Sequence, residues 1–167
     1  MVTREGTRII TALEAAWAAI QRKHPDVPDV VVVTGSGKPR RGNYLKLGHH
    51  SPERWIDAAA SGRRPELFVA GETIAMGGTQ VLETMLHESA HALAFVRGRI
   101  KDTSSQGNRW HNKKFAALAQ EVGLEPPKKA EPVLGFSSCS ITAATVSAYA
   151  AVIRKLEAAS LPHLDAP

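Results

Sequence analysis

The sequence predicts an α+β domain in which a small mixed or antiparallel sheet is combined with helices. Apolar residues recur at helical spacing near the start of the chain, three short strand-like segments follow, and further helical patterns occupy the second half. This order differs from the regular alternation of strands and helices in a parallel α/β fold. The length of 167 residues suits one domain with some peripheral structure.

The first half of the chain is predicted to contain one helix and three strands. A helix is expected over residues 3–23, where apolar residues are three and four positions apart and His24-Pro25 ends the pattern. Strands are expected where β-branched or mixed apolar residues stand beside glycine or proline. These segments are residues 30–33, 43–47 and 67–70.

The second half is predicted to be mainly helical. A central helix is expected to begin at Gly77-Gly78-Thr79, with Thr79 as its N-cap, and to end at Gly98. A polar loop and a shorter helix that ends at Gly123 come next. We expect one domain over residues 1–125, and a proline-rich connector with a last helix (141–159), packed on or appended to it, over residues 126–167.

The segment Leu86-His-Glu-Ser-Ala-His-Ala-Leu93 carries the most specific signal in the sequence. Residues four apart lie on one face of a helix, so His87 and His91 can direct their imidazoles to one point. Glu88 is rotated by about 100° from His87, which keeps it near a metal without making it a ligand. The spacing therefore predicts two zinc ligands and a general base, although a helix that merely carries these residues stays an alternative.

A catalytic zinc ion usually has three protein ligands and one position for water. His111, twenty positions after His91 and expected in the first turn of the next helix, is the best candidate for the third ligand. Glu121 ranks second, because it lies near the end of that helix. A compact motif with a third histidine at position 97 is excluded, since Arg97 stands there.

These residues resemble the SprT-like metallopeptidases, the family of the Spartan proteases that act on DNA–protein crosslinks. The resemblance rests on the His87 segment and on Asn108-Arg-Trp-His-Asn-Lys-Lys-Phe115, and it covers roughly residues 67–124. It implies a zincin-like fold, Zn²⁺ held by His87, His91 and His111, and Glu88 as catalytic base. Many relatives carry a cysteine-rich zinc ribbon, whereas this chain has the single cysteine Cys139.

Composition indicates a soluble protein with a lean towards anionic partners. The net charge is +5, and no apolar run approaches the length of a membrane span. No secretory signal is recognisable and a single cysteine forms no internal disulfide, so we expect a cytoplasmic protein. The basic cluster Lys38, Arg40 and Arg41 is a candidate for contact with DNA, and an ordinary solvated surface is the alternative.

The expected activity is hydrolysis of peptide bonds, with a protein or peptide as substrate. Residues 67–70 are expected to offer a strand edge to an extended substrate. We expect a surface role for His49-His50, a core position for Tyr44 and Tyr149, and either shielding of the site or simple packing for Trp110. A nucleic-acid-associated or regulatory protein with a structural or vestigial metal site is the alternative function, and a metal-dependent hydrolase that attacks a non-peptide bond is a further alternative.

Overall fold

The computed structural model describes residues 4–59, 61–104 and 109–163. Within these ranges the chain combines helices with small sheets, so the predicted α+β class is confirmed. No helix in this part of the chain is long and apolar enough to cross a membrane.

The first helix, α1 (Glu5–Lys23), matches its prediction closely. It buries one face, which includes Leu13, Trp17 and Ile20, against the core. The indole N–H of Trp17 donates to the Pro28 carbonyl at 2.8 Å, which fixes the turn that follows the helix. The prolines after the helix prevent its continuation.

The main sheet contains β1 (Val31–Gly35), β2 (Gly48–Asp57) and β3 (Gly62–Ala70) in the order β1-β3-β2. The pairing of β1 with β3 is parallel, and that of β2 with β3 is antiparallel. The predicted strand at residues 43–47 is wrong, because the chain becomes a strand only at Gly48. The prediction that residues 67–70 offer a free edge is also wrong, because β3 is the central strand.

Two helices follow β3, the short α2 (Gly71–Ala75) and the central α3 (Gly78–Val96). The N-cap of α3 is Gly77 rather than the predicted Thr79. The backbone N–H of Gly78 donates to the carboxylate of Glu157 at 2.5 Å, so a distant residue satisfies the start of this helix. Most of α3 is buried, as expected for the central helix.

A pair of two-residue strands, β4 (Thr103–Ser104) and β5 (Trp110–His111), precedes α4 (Lys113–Glu121). His111 thus lies in β5, two residues before α4, and not in the first turn of that helix as predicted. A second small pair, β6 (Leu124–Glu125) and β7 (Ser140–Ile141), spans the proline-rich connector.

The last helical region is two helices, α5 (Ala143–Ala148) and α6 (Ala150–Ala159), and not the single helix predicted over residues 141–159. The break falls at Tyr149, whose ring is buried. α6 packs against α1 and α3 and contributes Leu156 to the common core. Residues after 125 are therefore in contact with the helix that carries the predicted site.

Candidate metal centre

Three imidazoles converge where α3 passes β5. The nitrogen atoms of His87, His91 and His111 that could act as ligands all lie within 4.8 Å of one another. Nε2 of His111 is 3.3 Å from Nε2 of His87 and 3.1 Å from Nε2 of His91. Tetrahedral zinc with Zn–N bonds of about 2.0–2.1 Å separates its ligand atoms by about 3.3 Å. The spacing of the three histidines fits that geometry.

The other ring nitrogens of two of these histidines are already engaged. Nδ1 of His91 donates to the Asp102 carboxylate at 2.5 Å, and Nδ1 of His111 donates to the Arg109 carbonyl at 2.9 Å. Since a carbonyl and an ionised carboxylate only accept, both Nδ1 atoms carry the proton and both Nε2 atoms of the neutral rings carry a lone pair. Two lone pairs 3.1 Å apart repel each other unless a metal ion or a proton lies between them. The donor set therefore fits a metal ion.

Electrostatics keeps two of the rings in the form that binds a metal. Burial, with the neighbouring His91 and His111, lowers the pKa of His87 well below its usual value. Burial and His91 lower the pKa of His111 to about 4. Burial also opposes the charged form of His91, but the hydrogen bond to Asp102 and the charge of Glu88 outweigh it and raise its pKa. Neutral imidazole is the form that binds zinc.

The ring of Phe115 packs against the imidazole rings of all three histidines. Its ring centroid lies 4.7 Å from that of His87, 4.8 Å from that of His91 and 4.5 Å from that of His111, and Phe115 is fully buried. Packing of this kind restricts the rotamers of the imidazoles and so holds their Nε2 atoms together. The aromatic residue near the start of α4 thus has a direct structural role at the site.

Asn112 forms hydrogen bonds both to the loop that carries Asp102 and to the first turn of α4. Its side-chain oxygen accepts from the backbone N–H groups of Lys114 and Phe115, as the N-cap of α4. Its side-chain amide donates to the Lys101 carbonyl at 2.8 Å, and its backbone N–H donates to the Asp102 carbonyl at 3.0 Å. One residue therefore positions both His111, which precedes it, and the hydrogen-bond partner of His91.

Glu88 lies beside the histidines without being one of the converging ligands. It is only 6% exposed and accepts a hydrogen bond from the backbone N–H of His50. Burial raises its pKa, although the His91 imidazole, that hydrogen bond and the charge of Lys46 oppose the shift. A buried carboxylate with a raised pKa beside a metal centre is suited to accept and return a proton.

The site opens into a cleft of about 930 Å³. α3 contributes His87, Glu88 and His91 to its lining, and the segment from Tyr44 to His50 contributes a second part. Further lining residues come from the segment around β4 and β5 and from the connector after β6, and they include Asp102, His111, Leu134 and Cys139.

The start of β2 comes close to α3 at the cleft. A β-carbon on Gly48 would lie 2.8 Å from Cγ2 of Thr84 and 3.6 Å from Cγ of Glu88, so glycine permits the approach. The Ala70 N–H donates to the Leu47 carbonyl, and backbone groups alternate in direction along an antiparallel strand. Gly48 and His50 therefore direct their backbone groups away from β3, and the His50 N–H meets Glu88 there.

His50 was predicted to have a surface role, and that prediction is wrong. Its side chain lines the cleft, and its buried Nε2 has no hydrogen-bond partner among the described residues. Burial and the nearby His91 lower its pKa to about 4. Leaving a buried polar atom unpaired costs about 1–3 kcal/mol. His49 also lines the cleft, and its Nε2 bonds to Glu66 at 2.8 Å.

The structure separates several other candidates from the site. Glu121 forms two hydrogen bonds of 2.8 Å with Arg97 and is not one of the converging groups. Lys38, Arg40 and Arg41 are exposed on the loop between β1 and β2 and do not line the cleft.

Tyr44 is 51% exposed and lines the cleft, so its predicted core position is wrong, whereas Tyr149 is buried as expected. Trp110 contacts Gly135 and is not a lining residue.

Sequence reasoning missed Asp102, although a signal was present. Asp102 is the only acidic residue between Arg99 and Arg109. Histidine ligands commonly donate their second ring N–H to a carboxylate, so an isolated acid between two predicted ligands is worth testing as that partner. The side-chain roles of Asn112 and His50 had no comparable signal, because they depend on contacts between distant segments.

Asp102→Asn is expected to weaken zinc binding by about 10- to 100-fold, because the amide no longer supports the charge and orientation of the His91 ring. Competition with a chromogenic zinc chelator measures the affinity. Asp29→Asn, a matched change at an exposed position that bonds Gln21, serves as the control and should leave the affinity unchanged. Equal affinities for the two variants would show that Asp102 does not support a ligand.

The connector after β6 forms hydrogen bonds to the predicted ligand His111 on both sides of Gly135. The His111 N–H donates to the Leu134 carbonyl at 3.1 Å, and the Phe136 N–H donates to the His111 carbonyl at 2.8 Å. Gly135 has φ of +61°, and a β-carbon there would collide with the His111 carbonyl oxygen. A side chain at this position would push the connector away from β5.

Gly135→Ala is therefore expected to lower the free energy of unfolding by more than the about 1–2 kcal/mol that a left-handed conformation costs an alanine. Gly98→Ala is the matched control, because Gly98 has φ of +85° with nothing within 4 Å of the added β-carbon. Denaturant unfolding of both variants gives the difference. A loss for Gly135→Ala no larger than that for Gly98→Ala would contradict the assigned contact.

Comparisons with protein-family models, with curated proteins and with solved structures found no match to this chain.

Proposed function

We propose that this protein is a zinc-dependent peptidase of zincin-like architecture, with His87, His91 and His111 as ligands. The observation that carries the proposal is the convergence of three Nε2 atoms, two of them 3.1 Å apart with their Nδ1 atoms occupied. Three ligands are found within the described residues, which leaves a coordination position for a reacting molecule. This number favours a catalytic over a closed structural site.

His87, His91 and His111 would hold Zn²⁺, which would supply Lewis-acid chemistry for water and for a substrate carbonyl. Glu88 accepts the proton of the attacking water and returns it to the leaving amine. The hydrogen bond from the His50 backbone holds the Glu88 carboxylate in place. Phe115 and the buried part of α3 keep bulk water away from the back of the three rings.

The free edge of β2 offers a binding site for an extended peptide. Gly48 and His50 direct backbone groups away from β3, and the His50 N–H is engaged by Glu88. A substrate strand can hydrogen-bond beside Glu88 through the other outward backbone groups of these two residues. Pairing through the main chain requires little side-chain specificity. In the proposed function the edge of β2, and not residues 67–70, therefore binds the substrate.

The resemblance to SprT-like metallopeptidases rests on the same residues and is part of the proposal. The exposed basic cluster Lys38, Arg40 and Arg41 lies on the loop that leads to the cleft, which favours substrates associated with DNA. A DNA-binding measurement on the triple variant with all three changed to serine, against wild type at several salt concentrations, tests this part separately.

The experiment that tests the peptidase is hydrolysis of an unfolded protein by the zinc-loaded chain, followed by mass spectrometry of the fragments. We expect fragments with wild type, none after removal of zinc by a chelator, and recovery when zinc is restored. Intact substrate in the presence of fully zinc-loaded protein would refute the proposal and leave a structural metal site or a hydrolase for a non-peptide bond as the remaining interpretations.

A further inference from the structure

The carboxylates that line the cleft are engaged by the protein itself. Glu83 accepts from the Ile141 N–H at 2.9 Å, and Asp102 accepts from His91 at 2.5 Å. Glu88 accepts from the backbone of His50. These acids are therefore occupied by hydrogen bonds that hold the site together, and they are less available to a cationic group of a substrate.

Two cationic side chains of the same cleft, those of Lys46 and Arg109, are not engaged by acidic groups of the protein in this way. Lys46 and Arg109 both line it and are exposed, and across residues 4–59, 61–104 and 109–163 the side chains of neither form an ion pair or a hydrogen bond. The guanidinium of Arg109 lies over the ring of Tyr44, with 5.5 Å to its centroid. A planar guanidinium held on an aromatic face keeps its N–H groups free at the edge.

Both cations are placed beside the reacting centre. Lys46 precedes Gly48 by two residues in the segment that enters β2, next to the edge proposed to bind the peptide. Arg109 precedes His111 by two residues, and its carbonyl accepts from the His111 ring. A third cation, Arg99, also lines the cleft but has Glu53 as a partner at 3.4 Å. The accessible charge near the centre is thus positive and comes from two separate segments.

We propose that Lys46 and Arg109 form a subsite for an acidic side chain of the substrate, so that the protein prefers aspartate or glutamate close to the bond that it cleaves. The inference rests on the proposed peptidase function and names its substrate class. A carboxylate in this subsite receives charge-assisted hydrogen bonds from a lysine and an arginine. A cleft lined by accessible charge of one sign also concentrates ligands of the opposite sign.

The test uses sets of three peptides, one set for each position near a single scissile bond, and the members of a set differ only in having glutamate, glutamine or lysine at that position. Wild type is expected to cleave the best glutamate peptide with kcat/KM about tenfold above its glutamine counterpart, and the lysine peptide more slowly still. Lys46→Glu and Arg109→Glu should remove or reverse this order. Lys129→Glu makes the same change of charge at an exposed residue outside the cleft and should keep the wild-type order.

A second measurement does not depend on turnover. Binding of the same peptides to the zinc-loaded Glu88→Gln variant should show the tightest Kd for the glutamate peptide and a loss of this advantage at high salt. Single-stranded DNA is added as a competitor, because phosphates could occupy the same cations. Displacement by DNA without any preference for the glutamate peptide would overturn the inference in favour of a nucleic-acid contact.

The outcomes separate this inference from the function on which it rests. Cleavage of all three peptides at equal rates would overturn the acidic subsite and leave the peptidase intact. A glutamate peptide that binds preferentially but is never cleaved by wild type would support the subsite and refute the peptidase. Neither binding nor cleavage of any peptide would overturn both.

Discussion

Replacing Glu88 with glutamine is expected to lower the rate of peptide hydrolysis by about 10²- to 10⁴-fold, the usual contribution of a general base. Glutamine keeps the size of the side chain and can still accept the His50 N–H, but it cannot take a proton from water. Zinc content should stay that of wild type, because Glu88 is not one of the three converging ligands.

Glu83→Gln is the matched control for this change. Glu83 lies on the same helix and lines the same cleft, but it bonds to the Ile141 backbone, which glutamine can continue to do through its carbonyl oxygen. We expect activity within a few-fold of wild type. Full activity in Glu88→Gln, or an equal loss in both variants, would remove Glu88 from the mechanism.

His111→Ala is expected to lower zinc affinity by about 100- to 1000-fold. Structural zinc sites of four ligands bind with about 10–16 kcal/mol, so the loss of one ligand costs about 2.5–4 kcal/mol. Elemental analysis of wild type and variant, purified side by side without added metal, measures the effect. Near-stoichiometric zinc in wild type and little in the variant is the expected result.

His24→Ala, at the C-cap of α1, controls for the loss of a histidine as such and should keep the zinc of wild type. The folded state of His111→Ala is checked by circular dichroism, because the backbone of His111 also joins β5 to the connector. If a folded His111→Ala variant retained the full zinc content, the three-histidine centre would be refuted.

The part of the site predicted best is the part encoded locally. His87 and His91 are one helical turn apart, so their convergence follows from helix geometry once α3 is recognised from its apolar pattern. His111 could be proposed only because a loop can return it to α3. His111 lies in β5 and not in α4 because Asn112 is the N-cap of α4, and asparagine is a residue type that commonly takes this position.

The sheet was predicted less well for physical reasons. β2 contains His49, His50, Pro52 and Glu53, a composition with weak strand propensity, and it forms because it pairs with the apolar β3. Proline is tolerated there because β2 lies at the edge and its bulge interrupts the ladder. Nothing local indicates that β3, the last of the three along the chain, takes the central position.

The N-terminal end of α3 was also predicted incorrectly from the sequence. Thr79 has the residue type of an N-cap, yet the N–H of Gly78 is satisfied by Glu157, which approaches through a close contact of α6 with Gly78. Side-chain preferences describe what a helix end requires, but they do not reveal which distant residue supplies it. The same reason explains why the contact of Leu134 with His111 was not predicted.

The contacts of Leu134 and Glu157 also determine when the centre is completed during synthesis. Both residues follow all three histidines along the chain, and they hold the backbone of His111 and the first turn of α3, respectively. A nascent chain that has emerged from the ribosome only as far as His111 lacks both supports. The full set of contacts that supports the candidate centre can therefore form only after residue 157 has been synthesised.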